Sequence, residues 1–310
     1  MTDAAIETKG LRRVYRTGFF RRAVVALTGL DLRVPRGSTF GFIGPNGAGK
    51  TTTIKLLAGL SRPDGGSARI MGIDISERAA RAQVGFLPER PYFYPHLKAT
   101  EILELYGALV GLKAAEARRR SAALLDRVGL SEAADRRLGG FSKGMLQRIG
   151  MAQALIGDPQ LVILDEPMSG LDPMGRALVR DIIGELKSAG KTVFFSSHIL
   201  SDVEHLCDEL ALLDKGRLVT SGLIRELMGR NGGSVELVVS GLVGQPTGDN
   251  MNFEEVANRG RYRVFLASDS DSAQVLISAV MQAGGRVESL SSSHRSLEQI
   301  VVDVLHEDRQ

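Results

Sequence analysis

The chain has a single cysteine, Cys207, no tryptophan and only 5% aromatic residues. With no second cysteine, no disulfide can form within the chain, and a reducing, cytosolic compartment is expected. Cys207 itself reads as packing. No run approaches the ~18 apolar residues that cross a bilayer. The opening MTDAAIETKG lacks the basic-then-apolar layout of a secretory signal, so the protein is expected to be made and kept in the cytosol. A large charge excess is also missing. The net charge is +3, although the sequence pI is near 9.1. The arginines fall in small clusters, Arg12-Arg13, Arg21-Arg22, Arg118 to Arg120 and Arg136-Arg137. Nucleic acid is therefore not an expected partner. Each cluster reads as a solvated face, with contact to anionic lipid headgroups as the alternative.

What is present is ordinary globular composition, 43% hydrophobic and 24% charged over 310 residues, enough for a large domain plus a small one. LDLRV (30 to 34) alternates apolar and polar, Pro35-Arg36-Gly37 punctuates, and STFGFIG runs apolar, which predicts a hairpin feeding a buried strand. Ile54, Leu56, Leu57 and Leu60 then recur at helical spacing until RPDGG. Short strands are predicted around Arg69 to Met71 and at VGFLP, and helices from about Thr100 to Gly157 with breaks near Gly111, Gly129 and Gly139-Gly140. LVILDEP and TVFFSSH read as buried strands flanking a helix from about Pro173 to Ala189, and ELALLDKGRLVTSG as a hairpin turning at Lys215-Gly216. Alternating strands and helices argue for an α/β fold with a mostly parallel sheet covered on both faces. After Gly229 the composition turns toward turn-forming residues, so residues 1–229 are expected to form the main domain and 230–310 a small separate α/β domain.

GPNGAGKTT, residues 44 to 52, lies between a predicted strand and a predicted helix. Gly44, Gly49, Lys50 and Thr51 satisfy G-x-x-x-x-G-K-[ST], a phosphate-binding loop. The loop is Gly44, Pro45, Asn46, Gly47, Ala48, Gly49, Lys50, Thr51 and Thr52. Its glycines let successive N–H groups converge on phosphates where a β-carbon would block the approach. The helix that follows adds its positive end. Lys50 places a charge at the β and γ phosphates, and the Thr51 hydroxyl can coordinate magnesium. Further on, LVILDEP delivers Asp165 and Glu166 at the end of an apolar strand. Asp165 can hold magnesium through water, and Glu166 can orient or deprotonate an attacking water. No N-K-x-D guanine-reading motif follows, which argues against a GTPase.

FSKGMLQRIGMAQALIGDPQLVILDEPMSGLDP resembles the signature-to-Walker-B segment of ATP-binding cassette (ABC) ATPases, whose usual signature is L-S-G-G-Q. The order also matches: phosphate loop, signature at 141 to 145, Asp165-Glu166, SGLD at 169 to 172, and His198. The likeness covers about residues 6 to 225. It implies a mixed sheet with helices on both faces, an antiparallel N-terminal sheet and a helical subdomain at about 90–158. It further implies ATP and Mg2+ as ligands and a head-to-tail homodimer with two composite sites. In those sites the signature residues Ser142, Lys143, Gly144 and Met145 would meet the partner's ATP. Glu166 would act on the water, His198 would hold water and γ-phosphate in line, and Asp172 would help connect the halves. Tyr15 resembles the adenine-stacking aromatic, with Phe19 and Phe20 as alternatives because the chain is longer there than is usual.

Lys143 and Met145 depart from the usual signature, while Ser142 and Gly144 keep its phosphate contacts. Glu89 stands where the family commonly has its Q-loop glutamine. It lacks an N–H donor and adds negative charge beside the metal, so it joins Thr51 and Asp165 as a candidate metal ligand, with a plain loop carboxylate as the alternative. The substitution resembles the exporter branch with type-2 ABC permeases, and SLEQIVVDVL resembles the end of drug- and polysaccharide-exporter ATPase subunits. These likenesses imply an ATPase driving separately encoded permease subunits at the cytoplasmic face of the membrane. The alternatives are a soluble ABC-type ATPase acting on ribosomes or DNA, or an ATP-dependent binding switch. The stretch from Lys50 to Ser142 carries no sustained heptads, which disfavours the DNA machines.

Overall fold

The computed structural model describes residues 4–17, 22–229, 234–242, 244–246, 252–293 and 297–307. Phe19 and Phe20 lie outside them. The chain divides into two units, Met1–Gly222 and Leu223–Gln310.

The first unit opens with β1 (Ala4–Thr17), β2 (Arg22–Pro35), β3 (Thr39–Ile43), α1 (Lys50–Leu57), β4 (Gly65–Ile70), β5 (Ile73–Asp74), α2 (Arg78–Arg81) and β6 (Val84–Leu87). It continues with α3 (Ala99–Leu109), α4 (Ala114–Arg127), α5 (Lys143–Leu155), β7 (Leu161–Asp165), α6 (Pro173–Ser188), β8 (Thr192–Ser197), α7 (Leu200–Leu206), β9 (Glu209–Asp214) and β10 (Arg217–Leu223). Two sheets result. One is antiparallel, in the order β2-β1-β4-β5, and the other runs β10-β9-β3-β8-β7-β6.

The turn at Pro35-Arg36-Gly37 does not close the expected hairpin. β2 pairs with β1, whereas β3 lies parallel between β8 and β9. The cause is patterning. All five residues of β3 are buried, which suits the interior of a parallel sheet, while the alternating β2 has only one face to bury. A single apolar core joins the sheets, with Leu30 and Val34 on one side, Phe42, Ile163 and Phe194 on the other, and Ile54 and Leu57 of α1 between them. Each such fully buried side chain contributes about 1.5–3 kcal/mol. Helix α1, and the loop that starts it, is thereby fixed against both sheets.

Helices α3, α4 and α5 pack on one another as a helical layer. Their surface arginines have partners. Arg119 and Arg120 pair with Glu116, and Arg118 lies 3.9 Å from Glu104.

The second unit contains α8 (Ile224–Gly229), β11 (Ser234–Ser240), β12 (Phe253–Arg259), β13 (Tyr262–Ala267), α9 (Ser270–Gln282), β14 (Arg286–Ser293) and α10 (Leu297–Glu307). Its sheet, β12-β13-β11-β14, is antiparallel. Val235, Leu237 and Val239 alternate into a core closed by Phe265 and by Leu276 and Val280 of α9. The division falls before the expected junction after Gly229, because α8 packs on α10. Among the described residues no helix is long and apolar enough to cross a membrane.

Candidate active site

β3, β7 and β8 are parallel neighbours, so their C-terminal ends open on the same edge of the sheet. That edge is where open α/β sheets bind ligands. After β3 the loop Gly44 to Gly49 leads into α1. Gly49 has φ 109°, and a Cβ there would lie 2.7 Å from the Ala26 carbonyl oxygen; at Gly44 it would lie 2.2 Å from that of Leu213. Both positions need glycine for space as well as conformation. The loop is held from behind by the β9–β10 turn, where the Gly216 N–H donates to Ala48 O at 2.8 Å. Pro45, Asn46 and Gly47 are exposed in front. Gly49 gives α1 no side-chain cap, which leaves the first N–H groups of the helix to an anion.

Lys50 is buried, and its Nζ donates to the carbonyls of Gly44 (2.6 Å) and Pro45 (3.2 Å). Burial lowers its pKa, while the charges of Glu166 and Asp165 push it back up. Thr52 is half-buried and Thr51 exposed. Asp165, the last residue of β7, is also buried, and burial raises its pKa. Hydrogen bonds from Ser196 and Thr51 and the charge of Lys50 oppose that rise, whereas the charge of Glu89 adds to it. Glu89, two residues past β6, is half-exposed with Arg90 3.7 Å away.

Glu166 has φ 51°, the left-handed region, at the bend after β7. Its Oε2 lies 2.7 Å from Nδ1 of His198, the residue that follows β8. The structure therefore brings the phosphate loop, Asp165, Glu166 and His198 to one edge. Among the described residues no cluster of three His, Cys, Asp or Glu could hold a metal unaided. A hydroxyl and a buried carboxylate beside a phosphate loop fit magnesium that takes its remaining ligands from phosphate oxygens and water. Thr51 and Asp165 are the residues present for it.

The signature residues sit elsewhere. Ser142 caps α5, its Oγ accepting from Met145 N at 3.2 Å. The Lys143 side chain lies over Gly170, its Cε 2.7 Å from where a Cβ on that residue would be. A Cβ on Gly144 would touch Leu171 at 3.5 Å. The first turn of α5 contains no acidic residue. Asp172 caps α6 through Gly175 N at 2.7 Å. Tyr15 carries the Arg13 guanidinium 4.9 Å from its ring centre, and Arg13 is itself anchored by Arg62 O and Asp64.

Two residues of this machinery escaped the sequence reading. Ser196 bridges Asp165 and the Glu166 backbone, and buried Gln147 on α5 donates to Pro167 O at 3.3 Å. The signal for Ser196 was a pair of serines ending an otherwise apolar strand.

The ABC transporter family profile matches residues 27–169. An uncharacterised ABC transporter ATP-binding protein of Nostoc sp. is 45% identical over 97% of this chain and 90% of its own. A Nod factor export ATP-binding protein I of Cupriavidus pinatubonensis is 40% identical over 73% of this chain and 68% of its own. The solved ATP-binding subunit of an ABC transporter superposes with a TM-score of 0.65 at 33% identity, covering 73% of this chain and 92% of that one. Together with the geometry at the sheet edge, these likenesses place the chain in the ABC transporter family, among its subunits that bind ATP with Mg2+ and hydrolyse it.

Proposed function

We propose that this chain powers an exporter, working as a homodimer on separately encoded type-2 permease subunits at the cytoplasmic face of the membrane. The observation that carries hydrolysis is the Glu166–His198 pair, at 2.7 Å beside the phosphate loop; a binding switch has no use for it. In this reading Lys50 leaves the Gly44 and Pro45 carbonyls for the β and γ phosphates, and the loop N–H groups bind the same anions. Bound magnesium, held through Thr51 and Asp165, supplies charge neutralisation. Glu166 takes the proton of the attacking water as its oxygen bonds to the γ phosphorus and the bridge to ADP breaks. His198 orients that carboxylate and the water. Ser142, Gly144 and the start of α5, with Lys143 and Met145, meet the γ-phosphate held by the partner copy, and Asp172 joins the two halves. Tyr15 stacks on adenine.

Coupling is assigned to the groove lined by Leu60, Phe86, Pro91, Tyr92, Leu109 and Val110, about 660 Å3 in volume. Tyr92 is 83% exposed there and Leu109 68%, apolar surface suited to a permease helix. Glu89, at its margin, ties the groove to the metal site. The export relative supports the direction of transport.

Expression of Glu166→Gln in the native host, followed by mild solubilisation with magnesium-ATP, tests the proposal. A multi-span membrane protein should copurify in matched amount. Ribosomes or nucleic acid in its place would overturn it.

A further inference from the structure

Asp165 and Glu166 are adjacent in sequence but need opposite settings, one facing a cation and the other a water. The chain changes direction between them, and Glu166 takes a left-handed conformation that non-glycine residues adopt at a cost. Such a bend ends the regular pairing of β7 with β8 at Asp165 opposite Ser196, and the next N–H would be left without a strand partner. Ser196 supplies one. Its Oγ accepts from Glu166 N at 3.0 Å and donates to Asp165 Oδ1 at 2.7 Å. The residue is wholly buried, so bulk water is in no position to replace the hydroxyl. Two residues on, His198 holds the other end of Glu166, its carboxylate. One short segment thus grips Glu166 at backbone and side chain while orienting Asp165.

We propose that Ser196 is a positioning residue for hydrolysis, whose hydroxyl holds Asp165 toward the metal and Glu166 toward the water through a continuous N–H to O–H to carboxylate chain. The phosphate loop lies on different elements, so nucleotide affinity and turnover separate. The inference rests on Glu166 as the group that handles water.

The test measures basal ATPase, ATP affinity, magnesium half-saturation and thermal melts for the full chain and for Ser196→Ala, Ser196→Thr and Glu166→Gln. Ser196→Ala should keep ATP affinity within about threefold, lose about 10–100-fold in kcat and require more magnesium, as loss of a supporting hydrogen bond behind a metal ligand does. Ser196→Thr, which keeps the hydroxyl, should restore most of the rate. A folded Ser196→Ala with parental kcat, or one whose affinity falls in step with kcat, overturns the inference. So does a folded Ser196→Thr as slow as the alanine variant. Should the threonine variant not fold, the magnesium titration of Ser196→Ala decides, and an unchanged half-saturation point overturns the inference. A Glu166→Gln protein with parental turnover would remove the assignment on which the inference rests. Active Ser196→Ala beside inactive Glu166→Gln would remove only the inference.

Discussion

The first turn of α4 and the last residue of β7 treat a carboxylate in opposite ways. Glu116 sits at the surface between Arg119 and Arg120, and hydrogen bonds from both guanidinium groups hold its pKa down to about 2. Asp165 is buried, and its pKa is raised in spite of a serine, a threonine and a lysine working the other way. The first site satisfies its charge within the fold. The second has burial that its own hydrogen bonds do not offset, and Lys50 beside it is shifted in the complementary direction. Both buried groups are set for an external partner with charges of both signs, which a magnesium-bound triphosphate supplies. Poor electrostatic satisfaction in one place and full satisfaction in the other distinguish binding chemistry from scaffold.

Five experiments break or sharpen that contrast. The largest effect belongs to Lys50→Ala, which should weaken ATP binding about 100-fold, or about 3 kcal/mol, in a calorimetric titration; undiminished affinity would show the buried cation to be structural. Asp165→Asn should cut turnover by about 100-fold, as loss of a charged group at a phosphoryl-transfer site does, yet raise the melting temperature of the nucleotide-free protein. The sign follows from linkage. A carboxylate with a raised folded pKa makes the native state bind more protons, so its ionisation costs stability as pH rises through the window between the two pKa values, and that cost persists at neutral pH. A lower melting temperature would mean that Asp165 supports the fold after all.

Glycines sharpen the same contrast. Gly49→Ala should destabilise by about 1–3 kcal/mol, since its Cβ would meet Ala26 O and Leu27 at a positive φ. Gly184→Ala, exposed within α6 with open space around its Cβ position, should stabilise by about 0.5–1 kcal/mol in denaturant titration. The smallest effect is that of Glu116→Gln. Because the folded pKa of Glu116 is depressed, its contribution is full above the ordinary value of 4.5 and is lost as pH falls through about 2. The variant should flatten the melting-temperature profile across that window and hardly alter activity. A parallel shift at all pH values would assign the role of Glu116 to packing.

Much of the main unit was legible because its signals are local. A glycine-rich loop between a strand and a helix, an apolar strand ending in Asp165-Glu166, and helix breaks near Gly111 and Gly129 all act within a few residues. Partnership across the chain was not. Nothing local to Pro35 says that β2 and β3 belong to different sheets, a choice made by β1 on one side and by β8 and β9 on the other. Ser196 looks like a strand end until β7 is placed opposite it. The strand FEEVANR (β12) carries only half-buried residues among exposed ones, too weak an alternation to read without its neighbours. Cys207 does pack, its sulfur 3.0 Å from where a Cβ on Gly41 would stand, a contact invisible in sequence.

The turn at Lys215-Gly216 ties the opening of the first unit to its close. Gly216 O accepts from both the backbone and the hydroxyl of Thr28, 188 positions before it, while Gly216 N braces the phosphate loop through Ala48. On the ribosome, Lys50 and its loop emerge early, but β3 lacks both sheet neighbours until β8 and β9 have followed. The phosphate loop is braced by residues made long after it, so its native geometry depends on the completed first unit rather than on its opening segment alone.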